Sequence, residues 1–164
     1  MVSRQIETLR NRPDMCGAFA VESVASSLLK NSQFKAPLWV WDYRLKFLEL
    51  TRLIGQLNKP DDKVEFAWVK LTLEKLRKEF RLPFEEVGLN EFSDVGDLIT
   101  ISQSSEIIFF GRTVDYRRPH MYHLGRLIND NSGKRFESLQ QTTYLVDLAD
   151  FFLRMNKSNA VVIR

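Results

Sequence analysis

Residues 121–140 read MYHLGRLINDNSGKRFESLQ, and they contain a strong turn signal between two predicted strands. The segment 129–134 is a dense run of Asn, Asp, Ser and Gly, residue types that favour turns. Segments with the composition of strands lie on both sides of it, over 121–128 and 135–140. The stretch therefore predicts a β-hairpin, the basic unit of an antiparallel sheet.

The register of this hairpin follows from its charges. If Ile128 lies opposite Arg135, then Arg126 lies opposite Glu137. Opposite charges that face each other across two strands stabilise their alignment. We therefore predict this register.

Segments on either side of the hairpin indicate more strands. Residues 98–101 (Leu-Ile-Thr-Ile) and 106–110 (Glu-Ile-Ile-Phe-Phe) have strand composition and flank a Ser-rich turn. Residues 160–163 (Ala-Val-Val-Ile) are expected to form a last strand. Residues 143–155 carry apolar side chains at helical spacing, and this pattern predicts one late helix.

The first half of the chain has the helical period instead. Helices are predicted over about 15–30, 37–58 and 63–81, each with an apolar face. The third helix is expected to bury Trp68 and Leu71 on that face. The first half therefore supplies the helical layer of the fold.

Helices followed by an antiparallel sheet define the α+β class. We predict a single α+β domain over 1–164, with a helical part over about 1–90 and a sheet part over about 95–164. The N-terminal helices are expected to pack on an antiparallel sheet of four or five strands, with the late helix added. A chain of this length can bury a hydrophobic core large enough to fold without disulfide bonds or metal ions.

Composition limits the classes of function. The chain is 44% hydrophobic and 27% charged, which is typical of a globular domain. Its net charge of +3 permits nucleic-acid binding without indicating it. We expect no membrane insertion, because no stretch approaches the roughly 18 apolar residues of a membrane-spanning helix. One cysteine and two histidines cannot complete a usual zinc site without carboxylates, so we expect no metal and no other cofactor.

Cys16 is the only cysteine of the chain, so an internal disulfide is impossible. A reducing compartment, the cytoplasm, is the expected location, with delivery into a host cell left open. Asp14 is predicted to cap the helix that follows, which puts Cys16 in its first turn. A helix N-terminus favours the thiolate, and Gly17 would leave room for a substrate backbone. The backbone N–H groups of Cys16 and Gly17 could then stabilise an oxyanion.

His123 is the candidate general base. In the predicted register it lies opposite Gln140, and after a slip of one residue it lies opposite Gln141. A side-chain amide beside a histidine can orient the ring and fix its tautomer. His120 is less suited to this role, because it lies in a basic loop where nothing would orient it.

Cys16, His123 and Gln140 stand in the chain order of a known hydrolase family. At these positions, and in its order of helices before sheet, the chain resembles the papain-like cysteine hydrolases. In that family a cysteine at a helix N-terminus precedes a histidine on a strand, and Asn, Asp or Gln follows on the neighbouring strand. The resemblance implies a protease or a glutamine deamidase that acts on a protein substrate, with Cys16 as the nucleophile, His123 as the base and Gln140 as the orienter.

Each of these residues also has a structural explanation. A lone cysteine among small residues is most often a packing residue, and a histidine on a half-buried strand is most often hydrogen-bonded for structure. A second class of function therefore stays open, a non-catalytic adaptor domain that binds a protein or a nucleic acid. The candidate binding residues for that class are aromatic or basic: Trp39, Tyr116, Arg117, Arg118 and His120.

Overall fold

The helices lie mainly in the first half of the chain and the strands in the second. The computed structural model describes residues 7–9, 15–55, 62–92, 95–112, 122–130, 133–138, 142–145 and 158–164. These residues include four helices of at least eight residues: α1 (Cys16–Leu29), α2 (Leu38–Gly55), α3 (Asp62–Phe80) and α4 (Val95–Ser102). They also include six strands: β1 (Val87–Phe92), β2 (Glu106–Arg112), β3 (Tyr122–Asp130), β4 (Gly133–Ser138), β5 (Thr142–Leu145) and β6 (Ser158–Ile163).

The six strands form one antiparallel sheet in the order β1-β6-β2-β3-β4-β5. The α+β class is confirmed, with N-terminal helices before the strands. The described residues contain six strands in this sheet, more than the four or five expected. The additional pairing comes from both ends of the sheet, where β1 and β5 form the edges.

The hairpin between β3 and β4 has the predicted register. Arg126 pairs with Glu137, and Ile128 pairs with Arg135. The local charge pattern was therefore sufficient to align these two strands.

Helix α1 is the centre of the helical layer. It contacts β3 and β4 on one side and the helices α2 and α3 on the other. Nine of its fourteen residues are buried, so it is enclosed on most of its circumference. Because its first two turns consist largely of small residues, neighbouring elements can approach it closely.

Both faces of the sheet are buried at the described apolar side chains of β2 and β6 that pair with each other. Ile108, Val161 and Ile163 belong to the same core cluster as the buried residues of α1 and α3. Ile107 and Val162 alternate with them along the strands and are also buried. The sheet is therefore an inner layer, and α4 contacts it at β1 and β3.

The strand predicted over 98–101 is wrong, because these residues lie in helix α4. Their β-branched side chains gave the appearance of a strand. Asp97 lies in the first turn of α4, where a carboxylate favours a helix, and the Thr100 hydroxyl donates to the Gly96 carbonyl at 2.9 Å. Local helical interactions thus prevailed over strand propensity.

Two other elements differ from the sequence prediction. Strand β1 lies inside the segment predicted to be helical or loop, and its Gly88 and Asn90 are residue types that strands disfavour. Strand β5 occupies the start of the helix predicted over 143–155, because it pairs with β4. The remainder of that predicted helix, over 146–155, lies outside the described residues.

Within the described ranges, no helix has both the length and the apolar character that crossing a bilayer requires.

Candidate functional site

Cys16 is the first residue of α1, as the sequence predicted, but its side chain is buried. The residue is 8% exposed and belongs to the core cluster. Met15 is the N-cap residue of α1 and makes no side-chain capping bond, so the assignment of Asp14 as the cap is wrong. Asp14 itself lies outside the described residues. Access to the thiol from solvent is therefore small.

The space beside Gly17 is filled by the protein's own guanidinium group. A Cβ atom placed on Gly17 would lie 2.7 Å from Cζ of Arg44, 2.9 Å from its Nη1 and 3.0 Å from its Nε. These separations are shorter than a normal van der Waals contact. The missing side chain at Gly17 therefore makes room for Arg44. In the hydrolase hypothesis this space was expected to hold a substrate backbone.

Arg44 is fixed by contacts on several sides. Its Nη1 and Nη2 donate to the two carboxylate oxygens of Glu65 at 2.6 and 3.1 Å. Its Cζ lies 4.9 Å from the ring centroid of Phe47 and 4.8 Å from that of Trp68. The residue is 1% exposed. A planar guanidinium held by a bidentate ion pair and in contact with two aromatic rings has little freedom to move aside.

His123 lies in β3, and its backbone pairs with Gly111 of β2. In the same strand Arg126 reaches α1, because its Nη1 donates to the Ser23 hydroxyl at 3.0 Å. The side chain of His123 itself lies outside the described part of the structure, so its pairing with Cys16 stays a prediction.

The other predicted catalytic residue, Gln140, lies outside the described residues, as does Gln141. The candidate binding residues Tyr116, Arg117, Arg118 and His120 also lie outside them. The described side chains therefore do not bring the three predicted catalytic residues together, and their pairing stays a prediction.

Trp39, the remaining candidate binding residue, is half-buried and attached to α3. Its Nε1 donates to a carboxylate oxygen of Glu79 at 2.6 Å. The Nζ of Lys75 lies 4.6 Å from the centroid of the indole ring. Trp39 therefore joins the start of α2 to the end of α3.

A cluster of exposed apolar side chains was missed by the sequence analysis. Among the described residues, five large hydrophobic side chains are exposed: Tyr43 (37%), Leu50 (57%), Val64 (42%), Leu71 (56%) and Leu89 (45%). The first four lie on α2 and α3, and only Leu89 lies elsewhere, on β1. The expectation that Leu71 is buried was wrong, because Leu71 is two residues from the buried Val69 and five from the buried Leu76, which puts it on the opposite side of α3.

These four side chains form one surface, which we call the α2–α3 surface. The rings of Tyr43 and Trp68 are 5.8 Å apart. Val64 and Leu71 stand four residues before and three residues after Trp68, so they adjoin it on the same side of α3. Leu50 is seven residues after Tyr43, two turns further along α2. The spacing of seven on each helix was the sequence signal for this surface.

Aromatic rings and an ion pair lie beneath the α2–α3 surface. The Phe47 and Trp68 rings lie 6.0 Å apart, and the buried Arg44 is paired beside them with the partly exposed Glu65. The two helices run antiparallel, since Arg44 binds Glu65 while Trp39, earlier in α2, binds Glu79, later in α3. The exposed side chains are therefore held by a preformed scaffold.

A polar bridge joins α1 to the sheet on the other side of the helical layer. Glu106 accepts from the Ser27 hydroxyl and, at 3.0 Å, from Nε of Arg126. These groups are largely buried and are paired with one another. Their role is structural, because they fix the position of α1 on the sheet.

No group of three or more His, Cys, Asp or Glu side chains within the described ranges could hold a metal ion. Comparison of the chain with protein-family models, with curated proteins and with solved structures finds no match.

Proposed function

We propose that this chain is a non-catalytic protein-binding domain and that the α2–α3 surface is its binding site. The observation that carries the proposal is the concentration of Tyr43, Leu50, Val64 and Leu71 on one pair of packed helices. A contiguous apolar surface on a folded domain commonly marks an interaction site, whereas single exposed apolar residues need no explanation.

The form of the surface suits a helical partner. Two antiparallel helices with apolar side chains along their shared groove accept an amphipathic helix, which inserts side chains at spacings of three, four and seven residues. Burying the exposed half of Leu50 or Leu71 contributes roughly 1 kcal/mol for each residue. The aromatic floor of Phe47 and Trp68 is already ordered, so binding loses little conformational freedom there.

The surroundings of Cys16 favour this proposal over the cysteine hydrolase. A nucleophile must meet its substrate, and the Cys16 side chain is in the core. The guanidinium of Arg44 lies on Gly17, where the hydrolase hypothesis needs an open oxyanion site.

The experiment is site-specific photo-crosslinking in the native cells. A photoreactive amino acid replaces Leu71 in one variant and Leu50 in another, and a matched control carries it at Leu89, which is exposed to a similar extent on β1. We expect the same protein to be crosslinked from positions 71 and 50 and not from position 89. Equal crosslinking from all three positions, or none from any, would contradict the proposal.

A further inference from the structure

We draw no further inference here: the strongest candidate, the exposed apolar α2–α3 surface formed by Tyr43, Leu50, Val64 and Leu71, belongs to the site already described, and nothing in the structure shows what covers it.

Discussion

Replacing Gly17 by alanine tests the packing around the predicted nucleophile. In an ordinary helix this change stabilises, because alanine has the higher helix propensity by about 1 kcal/mol. Here the new methyl group would lie 2.7 Å from Cζ of Arg44. The side chain of Arg44 is long, but it is held by Glu65 and by two aromatic rings. We therefore expect the opposite sign.

The size of this destabilisation depends on how the side chain of Arg44 makes room for the new methyl group. Forcing an extra methyl group into a well-packed site costs about 1–3 kcal/mol, and a contact as short as 2.7 Å belongs to the upper end of that range. After subtraction of the gain in helix propensity, Gly17→Ala should lower the free energy of unfolding by about 1–2 kcal/mol. In a domain of this size each kcal/mol lowers the melting temperature by roughly 2–4 °C. Urea denaturation followed by circular dichroism measures the free-energy change directly.

A double-mutant cycle identifies the cause. In the background Arg44→Met/Glu65→Gln the guanidinium is gone, and the flexible methionine can move away from a methyl group at position 17. There we expect Gly17→Ala to stabilise by about 0.5–1 kcal/mol. If the substitution destabilises both backgrounds equally, the clash is not with Arg44, and the space at Gly17 has another purpose.

Three further predictions concern other buried contacts. Cys16 in the folded chain should be alkylated by iodoacetamide roughly 100-fold more slowly than in urea, because a local opening that costs about 3 kcal/mol must come first; rapid native alkylation below pH 8 would instead favour the hydrolase. Glu22→Ala should destabilise by about 1–3 kcal/mol, because it removes the acceptor of the Ala36 backbone N–H at 2.8 Å. Glu22→Gln keeps an acceptor and should lose less than half of that free energy in the same denaturation assay. Glu106→Ala should lower the free energy of unfolding by about 1.5–3 kcal/mol, because it leaves the guanidinium of Arg126 without its carboxylate partner. An unchanged free energy of unfolding would mean that the pair of Glu106 and Arg126 contributes nothing to stability.

The elements set by local patterns were predicted from the sequence. The hairpin register followed from its turn residues and from the charges of Arg126 and Glu137, which lie near each other in the chain. The three N-terminal helices followed from their periodicity. Helix α4 was missed because its β-branched residues favour a strand, whereas these residues are helical in the folded chain. Strand β1 was missed because it is stabilised by β6, about seventy residues later in the chain.

The candidate site depended on contacts that no local pattern records. Gly17 has the same neighbours in the sequence whether a substrate or a guanidinium lies beside it, and Arg44 comes from another helix. The exposure of Leu71 likewise depends on which side of α3 packs on the core, and the broad apolar face of this helix does not determine that side. The heptad spacing of Tyr43 with Leu50 and of Val64 with Leu71 was visible in the sequence, but it has meaning only once the two helices are known to pack side by side.

The central claim is that this chain acts through the α2–α3 surface and not through its thiol. Its most direct test is to express variants in cells that lack the chain and to measure recovery of the lost phenotype at matched protein levels. We expect Cys16→Ala to restore the wild-type phenotype and Leu50→Glu/Leu71→Glu to fail. The reverse pattern, with loss of activity in Cys16→Ala and full activity in the surface variant, would contradict the account.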